Sequence, residues 1–224
     1  MVAQLKQLVM TKKENRNYLH NAEIILNELS VKYKEAHCAL HHETSFQLLI
    51  ATMLSAQCTD ERVNQVTPAL FKKYPTPEKM ALADLKVIEK LIFSTGFYRN
   101  KAKNIINCSK EISQKYKGNV PQELEALILL PGVGRKTANV VLGNAFNIPS
   151  GIVVDTHVLR ISQRFGWIKT ANAEIAERSL QEIVPKKDWI SFPHWMIFHG
   201  RQICTARSPQ CEHCFLQDLC PKIK

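Results

Sequence analysis

The stretch that decides the fold is Leu130-Pro131-Gly132-Val133-Gly134-Arg135-Lys136-Thr137-Ala138. It joins an apolar helical run that ends at Pro131 to a second helical run that begins with Arg135. Two glycines one residue apart predict a turn with positive φ angles. The amide N–H groups at the start of the second helix lack intrahelical acceptors, and such groups bind phosphate without reading base sequence. We therefore predict a phosphate-binding turn at Gly132, Val133, Gly134 and Arg135, with Lys136 beside the bound group.

Helical periodicity dominates the rest of the chain. Apolar residues recur with helical spacing at Phe46, Leu49, Ile50, Met53 and Leu54 and again after Arg135. Further helices are expected near residues 18–33, 60–74, 82–93, 99–116, 122–130, 156–165, 172–183 and 188–200, with breaks at Pro75-Thr76-Pro77 and a kink or shortening at Pro68. Only Ile152-Val153-Val154 is β-like, and three residues make no sheet. The sequence predicts an all-α fold.

Composition restricts the class of partner. The chain has 224 residues and a formal net charge of +10, which favours a polyanion such as nucleic acid, although a merely basic enzyme has the same charge. The longest uncharged run, residues 137–154, contains asparagines, glycines and a proline, so no membrane partner is expected. A short N-terminal apolar patch (Leu5, Leu8, Val9, Met10) precedes a charged stretch and is not a signal peptide. We expect a soluble cytoplasmic protein, associated with the nucleoid if the source is bacterial.

Cysteine spacing indicates a metal site near the C-terminus. Of seven cysteines, Cys204, Cys211, Cys214 and Cys220 form the pattern C-x6-C-x2-C-x5-C. Four thiolates at this spacing bind either tetrahedral zinc or a [4Fe–4S] cluster, and the wide gaps suit the bulkier cluster. His213 lies in the tight part of the loop and is not expected to be a ligand. Cys38, Cys58 and Cys108 are interpreted as buried free thiols.

Three segments together resemble the endonuclease III family of DNA glycosylases. Residues 130–141 resemble its helix–hairpin–helix motif, and Val154-Asp155-Thr156-His157 resembles its catalytic aspartate segment. His199-Gly200-Arg201 with the four following cysteines resembles its [4Fe–4S] loop. Residues 54–60 and 96–98 also have counterparts in the family. The match runs in order from about residue 19 to residue 220, nearly the whole chain.

The resemblance implies two helical domains with a DNA-binding cleft between them. The central domain would cover residues 38–148 and contain the hairpin at about 122–146. The second domain would combine residues 1–37 with 149–224 and carry the cluster loop at 204–220. Lys136 and Asp155 would face each other across the cleft. The expected partner is double-stranded DNA with damaged pyrimidines or abasic sites, bound by a monomer.

The resemblance also implies a reaction. Lys136 would attack C1′, expel the damaged base and form a Schiff base, and β-elimination would then break the strand 3′ of the lesion. The attack needs an uncharged amine, and both the helix dipole and Arg135 disfavour the ammonium form. Asp155 would help to deprotonate the lysine and stabilise positive charge on the sugar. Its simpler role is the N-cap of the next helix, and one carboxylate can do both.

Two further positions resemble the elements that fill the void left by a flipped nucleotide. They are Gln57 and Phe97, whose ordinary interpretations are a surface glutamine and a core aromatic. A basic stretch follows and either contacts the DNA backbone or forms a solvated face; it contains Arg99, Lys101, Lys103, Lys110, Lys115 and Lys117.

Three alternatives remain open beside a bifunctional glycosylase and AP lyase acting on oxidised pyrimidines of the thymine-glycol type. Mismatch-type glycosylases share the fold and often the cluster, but they generally lack the lysine. A non-catalytic helix–hairpin–helix DNA-binding module would need neither Lys136 nor Asp155. A zinc-stapled structural protein would lack the visible absorbance of an iron–sulfur cluster.

Overall fold

The computed structural model describes the backbone of residues 12–221 and the side chains of residues 21–221. Two compact units are present: among the described residues, one combines 12–36 with 154–221, and the other spans His37–Val153. The apolar N-terminal patch discussed above lies outside the described residues. Within residues 12–221 every regular element is a helix and no strand is present, which confirms the all-α prediction. None of the helices described is long and apolar enough to cross a bilayer.

The helices follow one another with short connections. In chain order they are α1 (Lys12–Lys32), α2 (Ser45–Leu54), α3 (Asp60–Lys73), α4 (Pro77–Ala81), α5 (Leu85–Leu91), α6 (Tyr98–Lys115), α7 (Leu124–Ile128), α8 (Arg135–Phe146), α9 (Thr156–Arg164), α10 (Ala173–Ile183) and α11 (Phe192–Gln202). Short 3₁₀ turns occupy Phe93–Thr95, Lys186–Asp188 and Cys211–His213.

The unit His37–Val153 is built around α2. This helix is apolar on all sides, and it packs against α3, α6 and α8. A helix that is hydrophobic all round belongs inside a core. The other unit is built around α11, which packs on α1 and α9. Its fully buried side chains include Leu29, Ile161, Phe192 and Met196.

Side-chain caps fix where several helices begin. Thr44, Thr59 and Thr76 each accept a hydrogen bond from the amide three residues later, and Asp84 does the same. Asn172 accepts from the amides two and three residues later. Short oxygen-bearing side chains at this position satisfy amides that have no partner within the helix.

The structure corrects four local predictions. Helix α1 begins at Lys12 rather than near residue 18, and Pro75-Thr76-Pro77 starts a helix instead of only breaking one. Pro at the first helical position loses no hydrogen bond, which explains α4. Pro68 does not shorten α3, because the helix runs on to Lys73 with its apolar face buried. The expected helix 188–200 begins at Phe192, after a separate 3₁₀ turn.

Candidate active site and cysteine loop

The turn between α7 and α8 carries Lys136 at the start of a helix. Val133 is buried, and its amide donates to the Leu130 carbonyl at 3.1 Å, which anchors the turn. Gly132 has φ +77°, as predicted. Gly134 has φ −92° and is the N-cap of α8, so the prediction of a positive φ at this residue is wrong. An N-cap takes an extended backbone, which leaves Gly132 as the residue that makes the sharp turn.

The first turn of α8 is open to solvent. Gly134, Arg135 and Lys136 are exposed. Because Gly134 has no side chain, the N-cap position supplies no acceptor to the amides of this turn. Those amides and the helix dipole make the terminus favourable for an anion. The Val133 side chain is buried and its amide donates to the Leu130 carbonyl, so a phosphate contact at this residue stays a prediction.

The two hairpin glycines are expected to respond differently to alanine substitution. At Gly132 an added Cβ would lie 2.7 Å from the Asn104 Cβ, on a backbone with positive φ. We expect Gly132→Ala to lower the free energy of unfolding by about 1–3 kcal/mol. At Gly134 an added Cβ meets no described atom within 4 Å, so Gly134→Ala should lose less, about 0.5–1 kcal/mol, because alanine is a poorer N-cap than glycine. Chemical denaturation measures both variants, and an equal loss in the two would contradict this assignment of the turn.

Asp155 is the N-cap of α9. Its Oδ1 accepts hydrogen bonds from the amides of His157 and Val158, each at 2.8 Å. Both capping bonds end on Oδ1, which leaves Oδ2 outside the cap. Val158 and Ile161 are fully buried, so the capped helix is anchored by its apolar face. The half-buried carboxylate therefore has a fixed position and one oxygen available for other chemistry.

Gln57 and Phe97 share an unusual backbone. Both are exposed, and both adopt left-handed φ angles, 53° for Gln57 and 47° for Phe97. Phe97 is 67% exposed and so is not the core aromatic that its ordinary interpretation implied. A left-handed conformation costs a residue with a Cβ about 1–2 kcal/mol, so neighbouring structure must hold it.

The loop after α11 brings the C-terminal cysteines within electrostatic range of one another. Burial raises the pKa of Cys214, and the thiols of Cys204, Cys220 and Cys211 raise it further. Thiolates that repel one another in this way need a cationic centre to balance them. The wide gaps between the four cysteines suit a [4Fe–4S] cluster better than tetrahedral zinc, and His213 is exposed.

A buried tyrosine and histidine lie behind Cys214. Burial raises the pKa of Tyr33 to about 12 and lowers the pKa of His199 to about 4, so both are neutral at physiological pH. The Tyr33 hydroxyl lies 3.1 Å from His199 Nδ1, and His199 Nε2 lies 3.8 Å from Cys214 Sγ. In the tautomer with the ring proton on Nε2, the hydroxyl donates to Nδ1 and Nε2 donates toward the sulfur. This donor favours the thiolate that a cluster ligand must be.

Two arginines of α9 hold the beginning of the cysteine loop. Arg164 donates from Nη1 to Cys204 Sγ at 3.1 Å and to the Thr205 carbonyl at 2.8 Å, and from Nη2 to the Ala206 carbonyl at 3.0 Å. Arg160 Nη2 donates to the Cys204 carbonyl at 3.0 Å. Sequence reasoning missed both side chains. The available signal was their spacing of four residues, which places them on one face of α9.

Removal of Arg164 is expected to loosen the cysteine loop. The substitution Arg164→Ala leaves several backbone carbonyls and one thiolate without their charged donor, so we expect the unfolding free energy to fall by about 2–4 kcal/mol. The visible absorbance of the bound cluster should also decay faster under chelator than in the parent. Arg178→Ala, on the exposed face of α10, is the matched control and should change neither measurement. Equal behaviour of the two variants would contradict the role assigned to Arg164.

Outside the site, the structure corrects two interpretations. Lys101, in the basic stretch, is buried, and its Nζ donates to backbone carbonyls, so it belongs to neither a DNA-contacting nor a solvated face. Lys115 pairs with Glu111 on the surface of α6. Among the isolated cysteines Cys108 is buried as predicted, whereas two are only half-buried, Cys38 and Cys58.

The chain matches known proteins over most of its length. Residues 50–186 match the profile described as HhH-GPD superfamily base excision DNA repair protein, and residues 204–220 match the iron–sulfur binding domain of endonuclease III. Endonuclease III of Synechocystis sp. is 53% identical over 88% of this chain and 90% of its own length. A solved non-covalent endonuclease III–DNA complex has 46% identity and a TM-score of 0.86, and it covers 91% of this chain and 95% of its own. A trapped endonuclease III–DNA covalent intermediate has 45% identity and a TM-score of 0.83, with coverage of 96% and 97%.

Proposed function

The chain belongs to the endonuclease III family of the HhH-GPD superfamily of base excision DNA repair proteins, and we propose that it is a bifunctional DNA N-glycosylase and AP lyase that removes oxidised pyrimidines of the thymine-glycol type. Its substrate is double-stranded DNA, and it acts as a monomer. The four C-terminal cysteines hold a [4Fe–4S] cluster. When bound, the cluster cross-links the loop 204–220 and supplies positive charge to balance four thiolates.

The proposed reaction begins when the turn between α7 and α8 binds the DNA backbone. The amides at the start of α8 bind a phosphate, and the net charge of +10 favours the polyanion. The damaged nucleotide leaves the stack, which requires a few kcal/mol and selects weakened pairs. Gln57 and Phe97 fill the space that it vacates. These contacts carry no information about base sequence, so selectivity rests on the lesion itself.

Two side chains carry the bond-making steps. The Lys136 amine forms a bond to C1′ while the N-glycosidic bond breaks, and the base leaves with the bonding electrons and a proton. The sugar ring opens to a Schiff base, whose formation acidifies the C2′ proton. Loss of that proton expels the 3′ phosphate and breaks the strand. The Asp155 carboxylate stabilises the positive charge that develops on the sugar.

The observation that carries the proposal is an exposed lysine in the first turn of a helix, directly after a glycine turn. Most surface lysines are only solvated. Lys136 follows an N-cap that supplies no acceptor of its own, so a phosphate bound there would place the sugar beside the amine. In a DNA-binding module without catalysis the same ammonium would only contact phosphate, so covalent trapping of the amine distinguishes the two functions.

Borohydride trapping tests the proposal on four duplexes: thymine glycol, an abasic site, T:G and A:8-oxoguanine. Borohydride reduces a Schiff base to a stable adduct that is visible as a protein–DNA band. We expect adducts on the thymine-glycol and abasic duplexes. Trapping confined to a mismatch duplex would favour a mismatch-type glycosylase, and no adduct on any duplex would favour the non-catalytic module. If the purified protein lacks the visible absorbance of an iron–sulfur cluster, the four cysteines are better explained as a structural zinc site.

A further inference from the structure

Lys101 is a buried lysine in the first turns of α6. Its side chain is only 8% exposed. Nζ donates to the Leu54 carbonyl and to the Thr95 carbonyl, each at 2.8 Å. Burial lowers the pKa of Lys101, and the nearby Cys58 opposes that change. A lysine is rarely buried without an anionic partner, so these two carbonyl contacts require an explanation.

The two acceptors lie shortly before two turns that contain residues with left-handed backbones. Leu54 is the final residue of α2, three residues before Gln57. Thr95 is buried and lies two residues before Phe97. Gln57 and Phe97 both hold left-handed backbones and exposed side chains, so neither turn is kept in place by burial of its own tip. The side chain of Lys101 thus links, through two hydrogen bonds, the residues at which the two turns begin.

The backbone of Lys101 adds a third link. Its amide donates to the Phe97 carbonyl at 3.1 Å, which makes it part of the first hydrogen-bonded turn of α6. One residue therefore contacts the Phe97 turn through both backbone and side chain, and reaches the Gln57 turn through the side chain alone. Removal of the ammonium would cut the contact to Leu54 while α6 itself stays intact.

We propose that Lys101 is a positioning residue that holds the Gln57 and Phe97 turns at a fixed separation, so that both side chains fill the same vacated space in the duplex. The inference rests on the proposed function of those two side chains. Lys101 touches neither DNA nor the reacting atoms in this role. Its effect is confined to steps that depend on the duplex being held open.

The consequence is a difference between double-stranded and single-stranded substrates. In a duplex the void opposite the flipped nucleotide must be filled, whereas an abasic site in a single strand leaves no such void. Displacement of the two turns should slow cleavage of the duplex and leave cleavage of the single strand unchanged. A lysine that serves only the stability of the fold would lower both rates together, because both scale with the amount of folded enzyme.

The test compares single-turnover cleavage of an abasic site in a duplex and in a single strand. We expect Lys101→Met, which keeps the length of the stem and removes its donors, to lower the duplex-to-single-strand rate ratio at least about tenfold. Lys101→Arg, which keeps a charged donor, should restore part of the ratio. Lys79→Met, an exposed lysine of α4 outside the site, is the control for loss of one charge and should leave the ratio unchanged.

A second arm uses additivity. In the Gln57→Ala, Phe97→Ala double variant the ratio is already low, and adding Lys101→Met should lower it no further. Equal loss on the two substrates, or an independent additional loss in the triple variant, would overturn the inference. If the parent enzyme cleaves neither substrate, the proposed function itself fails, a result distinct from an unchanged ratio in an active Lys101→Met enzyme.

Discussion

Replacement of Lys136 by alanine is expected to abolish the borohydride adduct on every duplex and to lower strand cleavage by roughly three orders of magnitude or more, the scale seen when a covalent nucleophile is removed. In the proposed mechanism the amine nitrogen bonds to C1′, and alanine offers no nucleophile in its place. Folding should be unaffected, because Lys136 is exposed at the start of α8 and alanine is a favourable helical residue.

The controls separate the lost nucleophile from a lost charge. Lys136→Gln keeps a polar side chain of similar reach and removes the amine, so it should behave like Lys136→Ala in trapping. Lys72→Ala, at an exposed position near the end of α3, removes one positive charge and should trap normally. Duplex affinity of the Lys136 variants, measured at two salt concentrations, should fall only slightly. A trapped adduct that survives Lys136→Ala would show that another amine is the nucleophile.

The parts of the fold that depend on local chemistry were predictable from the sequence. The Asp155 cap marks the start of α9, and the period of the apolar residues identifies α2 and α8. Gly132 was predictable because a sharp turn after Pro131 needs positive φ. Gly134 was wrongly assigned the same role, since a sequence does not distinguish a glycine needed for its φ from one that leaves space at an N-cap.

The parts that depend on tertiary packing were not predictable. Lys101 belongs to a basic stretch in the sequence, and only the fold brings the carbonyls of Leu54 and Thr95 to its ammonium. The contacts of Arg164 span some forty residues and join α9 to the irregular segment Cys204–Ala206 that follows α11. Both side chains donate to backbone carbonyls. Every residue carries a carbonyl, so no pattern of residue types in the sequence identifies which one is the acceptor.

The second large effect is expected at Asp155, where the capping role and the catalytic role can be separated. Asparagine is as good an N-cap as aspartate, so Asp155→Asn keeps the bonds to His157 and Val158 and should change the unfolding free energy by less than about 0.5 kcal/mol. It removes the negative charge, however. We expect strand cleavage to fall by about two to three orders of magnitude, because stabilisation of the sugar cation is lost.

Asp155→Ala removes both functions and should lose about 1 kcal/mol of stability in addition to activity. Asp84→Asn is the matched control, because Asp84 caps α5 through the Val87 amide at 3.1 Å and has no proposed catalytic role. This variant should be as stable and as active as the parent. Thermal denaturation and single-turnover cleavage of an abasic duplex, measured on all three, distinguish the outcomes. If Asp155→Asn cleaves at the parental rate, the carboxylate is only a cap, and the charge on the sugar is stabilised by another group.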